Sequence, residues 1–172
     1  MRTTMTSSRA SGVAVGVLAG LAIAYFAPHE ATYATTSDRD AEFVMVTVPI
    51  ENQAAANEPL DAVFMLDFVT EQIKGGAINP KVGSFTSFWM RDLAKDFHVP
   101  AGVKPRYCIV SGHLQMPAGK GVNFASGVLY VGELTTGKVN AYGIPRNLPG
   151  GAQVAALTPL DTFPFRQPVN LR

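Results

Sequence analysis

Cysteine and histidine are scarce in this 172-residue chain, which contains one cysteine and three histidines. The single thiol, Cys108, excludes an intramolecular disulfide and any structural zinc site built on several cysteines. His29, His98 and His113 lie too far apart in the sequence to match the spacing of a metal motif. The sequence therefore predicts neither a metal site nor a cofactor.

Charge is also scarce, since 16% of the residues are charged against about 25% in a typical globular domain. Fourteen basic residues nearly balance thirteen acidic ones, for a net charge of +1. This balance excludes the basic surface that nucleic-acid binding requires. The hydrophobic fraction of 47% argues against disorder, and the length allows one domain.

The longest uncharged hydrophobic run lies at the N-terminus, over residues 10–27. Eighteen helical residues span about 27 Å, enough for a thin bilayer core. Arg2 and Arg9 precede the run, so the positive-inside rule predicts a cytoplasmic N-terminus at residues 1–9. We expect a single transmembrane signal anchor in the cytoplasmic (inner) membrane, a flexible tether over 28–40 and an extracytoplasmic, periplasmic domain over 41–172. Cleavage of the run as a signal peptide is the alternative and would make the protein secreted.

Gly16 and Gly20 form a Gly-x-x-x-Gly pair that favours close helix packing in the membrane.

The remaining sequence is typical of a mainly β domain. Short β-branched and aromatic runs predict about seven strands, in an antiparallel sheet or a small sandwich. One helix is predicted over Met90–Phe97, where apolar residues recur at helical spacing. From Pro145 the chain is rich in proline yet apolar, and we expect this tail to lie extended across the sheet and cover it.

Two segments resemble each other at an offset of 66 residues, 63–79 and 129–145. Each pairs two predicted strands around a turn that contains an acid and a threonine. The acid can accept hydrogen bonds from turn N–H groups, and Gly137 can adopt positive φ. Structural roles in the two turns are predicted for Asp67, Thr70, Glu133, Thr136 and Gly137. Glu71 occupies the place of Gly137 in the first copy, which costs about 1 kcal/mol if the backbone conformation is shared. Such hairpins resemble those of β-propeller blades, but a closed single-chain propeller needs at least four blades and is excluded by length.

Few residues indicate catalysis. Cys108 and His113 could form a thiolate–imidazole pair, but Cys108 lies in an apolar strand and is predicted to be buried and inert. Asp92 and Asp96 alternate with basic residues, as on a solvated helix face. Trp89 is interpreted as a core residue rather than the wall of a ligand groove.

The segment His113–Ser126 is a long connection between strands, and such loops are often functional. It is the candidate partner-binding loop, with the residues His113, Gln115, Met116, Lys120, Asn123 and Phe124.

Four blocks resemble, in order and spacing, a family of uncharacterised, signal-anchored proteins of planctomycete-type bacteria. The blocks are residues 63–79, 105–112, 128–145 and 159–166. Members of that family more often have Leu-Asp-Tyr-Leu-Thr-Gly in the first hairpin, from which Val69 and Glu71 depart. The resemblance implies a membrane-tethered module and carries no activity.

The sequence favours a non-enzymatic binding or scaffolding module at the outer face of the cytoplasmic membrane, with the bilayer and a protein as its partners. One alternative is a hydrolase or transferase that uses Cys108, His113, Asp67 or Glu133. The other is a self-assembling β-hairpin module, in which strands or hairpins of different copies pair.

Overall fold

The computed structural model describes residues 16–22, 37–51, 59–114, 123–146 and 154–166. The chain divides into two compact units, Met1–Thr32 and Tyr33–Arg172. In the first unit, residues 16–22 form helix α1, and the space beside Gly16 and Gly20 is open. None of the helices in the described parts of the chain is long and apolar enough to cross a bilayer. The rest of the predicted anchor lies outside the described residues.

The second unit is mainly β, as predicted, and its strands form two sheets. Its elements are β1 (Ser37–Arg39), β2 (Phe43–Glu51), β3 (Pro59–Asp67), β4 (Gln72–Asn79), β5 (Ser84–Asp92), α2 (Ala94–Phe97), β6 (Tyr107–His113), β7 (Phe124–Glu133), β8 (Lys138–Pro145), β9 (Val154–Ala156) and β10 (Thr158–Pro164). Sheet A has the order β1-β2-β3-β4-β5-β9, and sheet B has the order β10-β8-β7-β6. The described residues thus contain ten strands rather than about seven.

Each sheet is built on a four-stranded antiparallel meander, β2-β3-β4-β5 in sheet A and β6-β7-β8-β10 in sheet B. The registers correspond, because Asp67 pairs with Phe43 and Gln72 while Glu133 pairs with Tyr107 and Lys138. The two segments that resemble each other in sequence are therefore the central hairpins of two like sheets.

One hydrophobic core lies between the sheets. Alternate residues of each strand point into it, as the period of two along a strand requires. β2 contributes Val44, Val46 and Val48, and both β6 and β7 contact this strand. Trp89 lies in the core as predicted, and its indole N–H donates a hydrogen bond to the Pro145 carbonyl oxygen over 3.0 Å.

Two predicted boundaries were wrong. Ser37–Arg39 pairs with β2, so the β unit begins inside the predicted tether. The helix predicted over Met90–Phe97 is confined to Ala94–Phe97, because residues 90–92 continue β5 and pair with β4. Of its expected apolar face only Leu93 and Phe97 are buried.

The C-terminal tail adds strands to sheet edges instead of lying across a sheet. β9 pairs with β5 in sheet A, and β10 pairs with β8 in sheet B. Between them Leu157 is buried, and its N–H donates to the Met90 carbonyl oxygen over 3.0 Å. The tail therefore joins the two sheets, while Phe163 and Phe165 stay exposed.

Candidate interaction faces

The two central hairpins use their acids in the same way. Asp67 Oδ1 accepts hydrogen bonds from the N–H groups of Val69 and Thr70, at 2.8 and 3.1 Å. Glu133 accepts from the N–H groups of Thr135 and Thr136, at 2.9 and 2.6 Å. Both acids thus accept hydrogen bonds from the N–H groups of their own turns.

Glu133 is fully buried and also accepts a hydrogen bond from the Arg106 N–H over 3.0 Å. Burial by itself raises the pKa of this carboxyl, but the three backbone N–H groups outweigh it and hold the pKa at about 2. Glu133 is therefore ionised at neutral pH.

Glu71 adopts φ 57°, and Gly137 at the equivalent position adopts φ 66°. The backbone conformation is shared, so the backbone of Glu71 is held in the left-handed region that residues other than glycine rarely adopt. It accepts a hydrogen bond from the Tyr107 hydroxyl over 2.6 Å. Burial raises the pKa of Tyr107, and the Glu71 carboxylate raises it further. This contact gives a physical reason for glutamate at a glycine position.

A polar cluster connects the sheets near α2. Arg91 donates to both carboxylate oxygens of Asp96, at 2.7 and 2.5 Å. Asp96 also accepts from the Tyr142 hydroxyl over 2.8 Å, and Asn140 donates to that hydroxyl over 3.1 Å. Burial raises the pKa of Tyr142. These groups satisfy one another, as buried polar groups in a stable core must.

The thiol and the imidazole of the hydrolase alternative are not brought together. Cys108 and His113 are five positions apart on β6, so they point to opposite faces of sheet B, about 16 Å apart along the strand. Cys108 is exposed, and its prediction as a buried thiol was wrong. Asp92 ends β5 while Asp96 lies in α2, and each carboxylate has its own cationic partner, Lys95 for Asp92 and Arg91 for Asp96. No group of three metal-ligating side chains occurs among the described residues.

The candidate loop connects β6 to β7 as the end of a hairpin. His113 ends β6 and pairs with Gly127, and Phe124 begins β7 instead of lying in the loop. Asn123 is exposed, and its carbonyl oxygen accepts from the Arg146 N–H over 2.7 Å. Gln115, Met116 and Lys120 lie outside the described residues.

A cavity of about 250 Å³ opens at one end of sheet A, beside Trp89 and Leu60. Glu51 contributes the carboxylate in its lining, and this group forms an ion pair with Arg146. The cavity therefore offers a small polar recess whose acid already has a partner.

The outward side of sheet A carries an area rich in apolar side chains, and we call it face A. It comprises Met45, Val63, Met65, Phe85, Phe88, Met90 and Val154, all exposed or partly exposed. Met45, Met65 and Met90 lie in one row across the strands, with Lys74 between the last two. Methionine and aromatic side chains are enriched at protein interfaces, and methionine adapts its shape to a partner.

The outward side of sheet B is also apolar, and we call it face B. It comprises Cys108, Val110, Tyr130, Val139, Ala141 and Phe163, with Asp161 at the β10 edge. Tyr130, Val139 and Phe163 line a shallow depression of about 170 Å³. The two broad sides of the β unit thus both present apolar surface.

Sequence reasoning missed these faces, although the signal was present. β2 and β3 contain nearly continuous apolar runs, VMVTV and AVFML, where a strand with one wet side alternates apolar and polar residues. Such runs are typical of strands covered on both sides. In this unit only one side is covered by the core.

Comparison with protein-family models, with curated proteins and with solved structures gives no match to this chain. Its function must therefore be inferred from the geometry of the two faces.

Proposed function

We propose that this protein is a non-catalytic binding or scaffolding module that acts through protein–protein contacts on its β unit. The observation that carries the proposal is the pair of apolar faces, A and B, on opposite sides of one sandwich. Large exposed apolar patches on soluble units mark interaction sites, since water-exposed apolar area is otherwise minimised. The commitment of Glu133, Asp67 and Asp96 to structural hydrogen bonds supports a role without catalysis.

Photo-crosslinking in native membranes tests this function. A photoreactive residue replaces Met65 on face A or Val110 on face B, and the control replaces Val82, an exposed residue in the β4–β5 turn. We expect discrete protein adducts from the two faces and none from position 82. Adducts at all three positions, or at none, would contradict a role for the faces. Deletion of residues 115–122 shows in the same assay whether the predicted loop contributes.

We further propose that residues 10–27 anchor the module in the cytoplasmic membrane, with the β unit on the outer side. The uncharged run, the preceding Arg2 and Arg9 and the helical residues 16–22 support this placement. The full chain should stay with membranes after an alkaline carbonate wash and be digested by protease added from outside the membrane. Release by the wash, or protection from external protease, would exclude the anchor or its orientation. We also propose that the chain belongs to the family of signal-anchored planctomycete proteins that its four sequence blocks resemble.

A further inference from the structure

The two meanders are stacked in the same orientation, so that the side of sheet A that points into the core corresponds to the side of sheet B that points outward. At the offset of 66 residues, inward Phe64 and Ile73 of sheet A correspond to outward Tyr130 and Val139 of sheet B. Conversely, outward Met65 corresponds to inward Val131. The first strands of the two meanders, β2 and β6, also exchange inward and outward sides. At an offset of 64 residues, inward Val46 corresponds to outward Val110.

Inside the chain, the inward side of sheet A packs on the inward side of sheet B. By the sequence correspondence, face B is equivalent to the inward side of sheet A, and face A is equivalent to the inward side of sheet B. Each chain therefore contains one interface between these two kinds of surface, and it also exposes one further surface of each kind. We propose that a second copy of this chain docks its face B on face A and continues the interface already formed between the sheets. This inference rests on the proposed function, because it names the partner of the same two faces.

Lys74 stands in the middle of face A, with Asp61 exposed at the margin of the same side, and Asp161 stands on face B. A contact between Lys74 and Asp161 would join opposite charges and would favour the pairing of face A with face B. A contact between unlike faces repeats from copy to copy until it closes as a ring or continues as a filament. In β-propellers, four-stranded sheets stacked face to face close into a ring of four to eight sheets. Because each chain contributes two four-stranded meanders, this range corresponds to two to four copies of the chain.

Single-face variants of the full chain in detergent test the proposal by mass. Met65→Glu places a charge on face A, and Val110→Glu places one on face B; both residues are exposed in the single chain, at 42% and 59%. Val82→Glu is the matched control, since Val82 is 64% exposed outside both faces. We expect a wild-type mass of two to four copies by sedimentation, the same mass for Val82→Glu, and single chains for each face variant. A cooperative thermal unfolding transition in each variant shows that the single chains are folded.

A mixture of the two face variants separates this geometry from other modes of association. Met65→Glu retains face B and Val110→Glu retains face A, so equal amounts should form a 1:1 dimer and nothing larger. If only one variant loses the wild-type mass, the contact joins two like faces and the proposal fails. It fails equally if the wild-type chain is a single copy or if both variants keep the wild-type mass. A single-copy protein with crosslinks to a different protein at positions 65 and 110 would overturn the self-assembly while the proposed function stands.

Discussion

At the scale of residues, the two central turns depend on acids that accept backbone hydrogen bonds and, in the first turn, on the strained backbone of Glu71. Glu133 and Asp67 each accept hydrogen bonds from the N–H groups two and three residues ahead. This use follows from the sequence, since an acid before a turn satisfies donors that the hairpin leaves open. The contact between Glu71 and Tyr107 could not be predicted in that way, because it joins residues 36 positions apart.

Replacement of Glu133 by Gln should destabilise the fold in a pH-dependent manner. The folded-state pKa of about 2 lies below the ordinary value of 4.5, so the ionised group stabilises the fold fully above pH 4.5. That contribution, at most about 3 kcal/mol, is lost as the pH falls from 4.5 towards 2. Urea unfolding, followed by the fluorescence of Trp89, should show a large difference from wild type at pH 7 and a small one near pH 2.5. A difference that does not change with pH would contradict this assignment. Asp67→Asn is the control, with a smaller effect expected because Asp67 is more exposed.

Substitution of Glu71 by glycine should have opposite effects on stability in the wild-type chain and in Tyr107→Phe. Glu71→Gly relieves about 1 kcal/mol of backbone strain but removes a charge-assisted hydrogen bond worth about 2 kcal/mol. We therefore expect a net loss of about 1 kcal/mol in the wild-type chain. In Tyr107→Phe, which lacks the hydroxyl, the same substitution should stabilise the fold by about 1 kcal/mol. Equal effects in both backgrounds, measured as unfolding free energies, would mean that the hydrogen bond does not hold Glu71 in place.

At the scale of elements, the central hairpins follow from the sequence and the sheet edges do not. Residues 63–79 and 129–145 contain strand patterns and a turn acid, so local physics defines them. The short β1 and β9 lack such patterns and exist because longer strands offer open edges for pairing. The pattern over Met90–Phe97 suits a helix, yet pairing of residues 90–92 with β4 prevails over that local preference.

The close contact between the two sheets at Gly127 should be sensitive to one added methyl group. A Cβ on Gly127 would overlap the backbone carbonyl of Pro49, which cannot move without displacing β2. We expect Gly127→Ala to lower the unfolding free energy by about 1–3 kcal/mol. Gly76→Ala is the matched control, because its Cβ would meet the exposed side chains of Phe85, at 3.0 Å, and Phe88, at 3.6 Å, and no backbone atom among its nearest neighbours. An effect of less than about 0.5 kcal/mol is expected there. Similar losses for both variants would contradict the assignment of the effect to the contact between Gly127 and β2.

At the scale of the whole molecule, composition and function are linked through the two faces. A chain with few charges and 47% hydrophobic residues has more apolar surface than its single core covers. The mainly β class was predictable from short strand patterns, whereas face A and face B were not, because they emerge only when strand register fixes which side points outward. The predicted anchor and the loop residues Gln115, Met116 and Lys120 remain predictions.

The reactivity of Cys108 tests the central claim, that the faces are occupied in the working protein. This thiol is the only one in the chain and lies exposed on face B. In membranes containing the full-length protein, its modification by a maleimide should be at least ten-fold slower than in Met65→Glu, which retains Cys108 but blocks the face that would cover it. The wild-type rate should also rise on dilution in detergent. A thiol that reacts equally fast in both proteins, at every concentration, would contradict the account.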